Sequence, residues 1–212
     1  MAVGGNNIQW ADTFPEDLVP VVLNLIVCGW PKLLPVAPDA WEEATTRKLR
    51  EVLRYEKNFR MLPFSIWPES SETDPSSGKE IGRIDLRFLH GHREDVYLSF
   101  ECKRLNYSDR SGKTHANFSE YTGDGGMMCY ITQKYSKGLP HGGMIGYVLN
   151  GDLAGAKVGV KKSMEKNRAK LNLKVNSSLS KSSHFPSDKR LAESVHDVCG
   201  TEMTIYHIFL AN

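Results

Sequence analysis

Two stretches of alternating character constrain this chain more than any other feature: Gly82-Arg-Ile-Asp-Leu-Arg-Phe88 and Tyr97-Leu-Ser-Phe-Glu-Cys-Lys103. In a strand, successive side chains point to opposite faces. The first stretch therefore separates Ile84, Leu86 and Phe88 from Arg83, Asp85 and Arg87. The second separates Leu98, Phe100 and Cys102 from Tyr97, Ser99, Glu101 and Lys103. The polar turn Gly91-His92-Arg93-Glu94-Asp95 joins them. An antiparallel hairpin with His90 opposite Val96 matches Ile84 with Cys102, Leu86 with Phe100 and Phe88 with Leu98. A slip of one residue would set apolar side chains against charged ones, so packing selects this register.

The same register places Asp85 opposite Glu101, with Cβ atoms about 4.5–5.5 Å apart. Lys103 follows on the same face, opposite Arg83. Facing carboxylates repel and raise each other's pKa unless a cation lies between them. Oxygen ligands of this kind suit Mg²⁺ or Mn²⁺, and the absence of paired Cys or His ligands argues against zinc. Such an ion would activate water and stabilise charge on a scissile phosphate, with Lys103 orienting that water or neutralising the transition state. The competing reading of the spacing alone is a half-exposed hairpin whose polar face happens to hold Asp, Glu and Lys.

The rest of the chain frames this hairpin. At 212 residues it has the length of one domain, spanning 1–212. Its four cysteines are widely spaced and read as reduced, buried thiols of a cytoplasmic protein. The most apolar stretch, Leu18 to Cys28, reads as a core helix rather than a targeting or membrane segment. Residues 1–38 form an N-terminal extension: a loose leader to residue 14, then a helix from Asp17 to Cys28. Asp39 is placed to cap a second helix with a stripe of Trp41, Thr45, Leu49, Val52 and Leu53, and Trp41 and Trp67 read as core. A strand over Phe59–Trp67 and a loop over Ser70–Gly78 precede the hairpin, whose strands span Ile81–Leu89 and Val96–Leu105. A helix over about Asp124–Lys137 and a buried strand over Gly143–Leu149 follow. Residues 39–150 thus form the core. The segment 151–212 supplies a basic helix, capped by Asp152 and reaching about Leu171, a short strand near His184 and a last strand over Met203–Leu210. The order predicts an α/β fold, a mixed β-sheet flanked by helices.

The net charge of +2 identifies no partner, but its distribution is uneven. Ten Lys and Arg between Lys157 and Arg190 stand against Glu165 and Asp188. A local basic surface suits a polyanion. Lys161, Lys162, Lys166 and Arg168 span about two helical turns and are the candidates for contacting backbone phosphates. The seven histidines lack metal-ligand spacing, and the glycines at 123–126 and 141–143 match no phosphate-binding loop.

Gly82-Arg-Ile-Asp85 and Glu101-Cys-Lys103-Arg-Leu-Asn106 resemble the signature of the PD-(D/E)XK, or restriction-endonuclease-like, phosphodiesterases: Gly-x-x-Asp on one strand, then Glu-x-Lys on the next. The resemblance covers roughly residues 40 to 150 and departs in having no Pro before the first acidic residue. It implies an αβββαβ core. It also implies a preceding helix that offers a Glu, here Glu43 with Glu42 the near alternative, and a following helix that offers Gln133. Glu69 is a weaker candidate for a second metal, and Lys134 for a phosphate contact. Asp85 and Glu101 would hold one or two Mg²⁺ (or Mn²⁺) ions, the Cys102 backbone carbonyl would complete a position, and Lys103 would serve the attacking water.

The expected activity is therefore hydrolysis of nucleic acid, DNA before RNA and endonuclease before exonuclease. A homodimer or a larger assembly would supply target recognition, with no membrane partner. Bacterial or phage defence fits a small nuclease of this kind by association. The rival is a catalytically inactive nucleic-acid-binding or scaffolding subunit that keeps the fold. A weaker rival is an enzyme acting on small phosphates.

Overall fold

A computed structural model describes residues 12–67, 69–73 and 77–212. Most of the expected leader, residues 1–11, and the tip of the expected loop, 74–76, lie outside these. Helix α1 (Val19–Gly29) tolerates Pro20 in its first turn, where the missing N–H is not needed. It buries Val22, Leu23, Leu25, Ile26 and Val27, so it belongs to the core. Helix α2 (Glu42–Phe59) buries Thr45, Leu49, Leu53 and Glu56 at helical spacing. Asp39 does not cap it. Trp41 occupies the N-cap without a side-chain bond, and Asp39 instead pairs with Arg110 at 3.3 Å. Trp41, expected in the core, is 73% exposed, whereas Trp67 is half-buried against the core. The expected strand over Phe59–Trp67 shrinks to β1 (Ser65–Trp67), because α2 runs on to Phe59.

The remaining elements in chain order are β2 (Ser70–Thr73), β3 (Glu80–Ile84), β4 (Leu86–Leu89), β5 (Tyr97–Ser108), β6 (Thr114–Ala116), α3 (Phe118–Thr122), α4 (Met128–Ile131), β7 (His141–Val148), α5 (Leu153–Lys166), β8 (Ser180–Lys181), β9 (Leu191–Val198) and β10 (Thr201–Ala211). The large mixed sheet has the order β1-β4-β5-β7-β10-β9-β8, with β6 pairing to β5; β2 and β3 form a separate two-stranded sheet. β4 runs antiparallel to β5, β7 parallel to β5, and β10 parallel to β7. One face of the large sheet packs its Leu86, Phe88, Leu98, Phe100 and Ile145 against α1 and α2. The other packs Leu105, Met144, Ile205 and Phe209 with residues of α3, α4 and α5. The chain is thus a mixed α/β fold with helices on both faces of a mixed sheet. Among the described residues no helix is long and apolar enough to cross a membrane.

Three further expectations need correction. The helix expected over Asp124–Lys137 is the single turn of α4, followed by left-handed residues at Gln133 (φ 55°) and Ser136 (φ 52°). The strand expected over Gly143–Leu149 begins two residues earlier, at His141, so Gly142 and Gly143 both lie within β7. A Cβ on Gly143 would stand 2.2 Å from the Phe100 ring, so the two strands approach only because it is glycine. β9 was not anticipated, and no strand forms at His184 itself. By contrast, Asp152 caps α5 as expected, accepting from the Gly155 N–H at 2.9 Å, although the helix ends at Lys166. All four cysteines are free, but only Cys102 and Cys129 are buried; Cys199 is exposed at the β9–β10 turn.

β9 brings a polar chain into the interior. Tyr121 Oη lies 2.9 Å from His207 Nδ1, His207 Nε2 lies 2.8 Å from Ser194 Oγ, and Ser194 Oγ lies 2.7 Å from His196 Nε2. His196 Nδ1 ends the chain 2.8 Å from the Leu171 carbonyl. A carbonyl only accepts, so His196 Nδ1 carries hydrogen and its Nε2 accepts from Ser194. Ser194 then accepts from His207 Nε2–H, and His207 Nδ1 accepts from Tyr121. Every member is neutral and satisfied.

Candidate active site at a strand fork

The strand expected over Ile81–Leu89 breaks at Asp85 into β3 and β4. β4 pairs with β5 in the register the side-chain pattern selects, Leu86 with Phe100 and Phe88 with Leu98. β3 swings away and pairs with β2, Ile84 meeting Ser70. The expected partnership of Ile84 with Cys102 therefore does not form, and Asp85 stands at the fork rather than in a ladder opposite Glu101. The departure leaves main-chain N–H groups along β5 without a strand partner, and buried donors must find another acceptor. Two carboxylates supply it. Asp85 Oδ2 accepts from Cys102 N–H at 2.8 Å, and Glu42 Oε2 accepts from Arg104 N–H at 2.7 Å.

Lys103 ties the cluster together. Its Nζ donates to Glu101 Oε1 at 2.8 Å and to Glu42 Oε1 at 3.2 Å. Burial pushes the Asp85 carboxyl up to about 6, against the pull of the Cys102 N–H and Lys103. Burial and the neighbouring Asp85 push Glu101 up to about 8, with Lys103 opposing. Burial alone would lower the pKa of Lys103, but Glu101 and Glu42 outweigh it and hold the ammonium charged. Glu101 Oε2 is buried and has no hydrogen-bond partner. The cluster thus joins a desolvated carboxylate pair, a fixed cation and one unspent oxygen, an arrangement suited to gripping a cation or a proton.

The other expected residues divide. Glu43 is exposed and, with Thr46, Arg47, Arg50, Glu69 and Asp85, lines a cleft of about 90 Å³ that opens onto the fork. Glu42, the neighbour on the same helix turn, is the one that reaches Lys103. Glu69 shares this cleft and pairs with Arg83 at 3.2 Å. Gln133 is not brought to the site: it lines a separate crevice with Val198, Glu202 and Met203 of β9 and β10. Its neighbour Lys134 reaches the β3 strand instead, its Nζ standing 2.6 Å from where a Cβ on Gly82 would be. Arg50, which the sequence did not single out, carries a buried Nε without a partner.

The basic helix sits elsewhere. Lys161, Lys162 and Lys166 are exposed on α5. Arg168 is engaged internally, pairing with Glu165 at 2.8 Å and donating to the Lys174 and Ser177 carbonyls. Lys170 and Arg190 are also ion-paired, with Asp124 and Asp188. The basic excess of the sequence is therefore partly spent on fixing the loop after α5. Among the described residues, no three His, Cys, Asp or Glu side chains converge as a ready metal cage. Compared with protein-family models, curated proteins and solved structures, the chain matches none of them.

Proposed function

We propose that this chain is a metal-dependent phosphodiesterase of the restriction-endonuclease-like kind, cutting nucleic acid at the fork between β3 and β4. The observation that carries the proposal is the desolvated pair Asp85 and Glu101 beside Lys103, with Glu101 Oε2 buried and unpartnered. An unspent buried carboxylate oxygen is costly in a protein and well used by a cation. The residues that would hold the ion are the carboxylates of Asp85 and Glu101 and the Cys102 main-chain carbonyl, all oxygen ligands of the kind a hard ion takes. When bound, Mg²⁺ or Mn²⁺ supplies Lewis acidity and a water of lowered pKa. Lys103, held charged by Glu101 and Glu42, neutralises charge on the phosphate or orients the attacking water. Glu43 and Glu69 line the approach. The element order supports the same reading: α2, then β1, β4 and β5 antiparallel, then α3 and α4, then β7 parallel to β5, an αβββαβ arrangement.

The test is direct. Plasmid, linear duplex and single-stranded DNA or RNA are incubated with Mg²⁺, Mn²⁺ or EDTA, beside Glu101→Ala and Lys103→Ala. Metal-dependent cutting that both variants lose is the expected result.

One observation favours a second reading, a nucleic-acid-binding or scaffolding subunit. Asp85 and Glu42 already serve as acceptors for the N–H groups that β3 abandons, which is a structural occupation. Binding without cutting, indifferent to Glu101→Ala, selects it.

A further inference from the structure

A larger pocket adjoins the fork. It has a volume of about 510 Å³ and is lined by Trp41, Glu43, Arg47, Arg104, Asn117 and Glu120, among others. Glu43 and Arg47 also line the small cleft that holds Asp85, so the two cavities share a wall. An alternating stack reaches the pocket through two of its lining residues, Trp41 and Arg104. The Arg104 guanidinium lies 5.3 Å from the Trp41 ring centre and 3.9 Å from that of Tyr107, and Tyr107 stacks on His115 at 5.0 Å. Arg104 is fixed in this position by its bond to the Ala40 carbonyl at 3.2 Å. One member is left open: the Trp41 indole, 73% exposed where it lines the pocket.

We infer that this pocket receives an unpaired nucleobase of the substrate, stacked on Trp41, so that the preferred substrate is single-stranded or locally unpaired nucleic acid. The inference rests on the phosphodiesterase reading and names its substrate class. A planar π-face beside a guanidinium is the platform on which bases stack, and stacking tolerates any sequence. The charges of the pocket point the same way. Glu43 and Glu120 would repel a phosphate placed among them, whereas a carboxylate accepts from the amino edge of a base. Asn117, which starts α3 without using its side chain as a cap, adds an amide able to donate and accept. Arg47 stands on the shared wall toward Asp85, where the phosphate of that nucleotide would fall. Bases within a duplex cannot present a face to Trp41 unless they leave the stack.

The test measures binding in EDTA, so cutting plays no part in it. Mixed-sequence ten-nucleotide DNA and RNA single strands, and the corresponding duplex, are titrated against wild type, Trp41→Ala and Trp41→Phe, following tryptophan fluorescence and the anisotropy of a labelled strand. Wild type is expected to prefer the single strands, and Trp41→Ala to weaken them roughly 5- to 100-fold. Trp41→Phe should keep them within about threefold, with duplex affinity unmoved by either variant. Single-strand affinity unchanged in Trp41→Ala, an equal loss on duplex, or no binding of any strand overturns the pocket. Cutting that Glu101→Ala abolishes while the binding test fails overturns the pocket alone and leaves the phosphodiesterase standing.

Discussion

Two buried polar clusters lie in this sheet, and they are built on opposite principles. The chain Tyr121–His207–Ser194–His196 is neutral, and each donor has one acceptor. The cluster Asp85–Glu101–Lys103–Glu42 sets two carboxylates on one ammonium, with Asp85 held beside them by the Cys102 N–H, and leaves an oxygen unused. A satisfied network fixes how strands and helices pack. An unsatisfied one stores free energy that only a missing partner can release. The contrast separates a network with every group satisfied from one that keeps a spare buried acceptor.

The most severe way to break that contrast is to remove the site's charges. Lys103→Ala should lower cutting by about 10²–10³-fold, and Glu101→Ala by at least as much. Neither the denaturation midpoint nor the slope of Glu101→Gln should fall, since the amide oxygen still accepts from Lys103 while the desolvated like charge is gone. A large loss of stability in Glu101→Gln would make the cluster a structural one.

Next in size, His207→Leu leaves Tyr121 Oη without its acceptor and takes from Ser194 Oγ one of its two partners. The expected cost is about 2–4 kcal/mol in chemical denaturation. Cutting per folded molecule should be retained.

The two clusters should also pull stability in opposite directions with pH. Burial lowers His196 to about 4 and His207 to about 3, from an ordinary 6.5. The unfolded chain takes up these protons first, so their contribution is whole above about pH 6.5 and declines as pH falls toward 4. Asp85 and Glu101 are raised to about 6 and about 8, so the folded state holds their protons more tightly. Their contribution is whole at acid pH and is lost as pH rises through those values. Stability curves of Glu101→Gln should lose the decline near pH 8 and keep those due to Asp85 and the histidines; those of His207→Leu should lose part of the acid decline, keep the share of His196, and retain the alkaline one.

The smallest effect extends the comparison to α5. Replacing Lys161, Lys162 and Lys166 with Ala should weaken nucleic-acid binding a few-fold and reduce its salt dependence, by roughly one unit of slope for each lysine that meets a phosphate. Arg168→Ala should instead loosen the segment 172–178, seen as faster amide exchange there, because its guanidinium holds the Lys174 and Ser177 carbonyls.

The side-chain alternation of 82–88 and 97–103 contained the register of β4 on β5 in full, because each apolar residue has one apolar partner. It did not contain the fork. Whether β3 continues along β5 or leaves it depends on carboxylates from distant segments taking over the N–H groups, and alternation does not register that. The choice of Glu42 over Glu43 was equally hidden, since neighbours on a helix differ by about 100° and tertiary packing sets the phase. Gln133 was misplaced because a helix was extended through residues that turn left-handed after α4. β9 escaped notice for the reason that makes it informative: Ser194 and His196 are buried there, and buried polar residues erase the apolar period.

The rims of the large sheet carry a last consequence. Its outermost strands, β1 and β8, are three and two residues long. So short a border offers a second chain almost no main-chain hydrogen bonds to extend, which guards against fibre growth. Two copies of this protein that associate would find little main-chain purchase at these two rims. A shared sheet running from one subunit into the next is a geometry that the described residues disfavour.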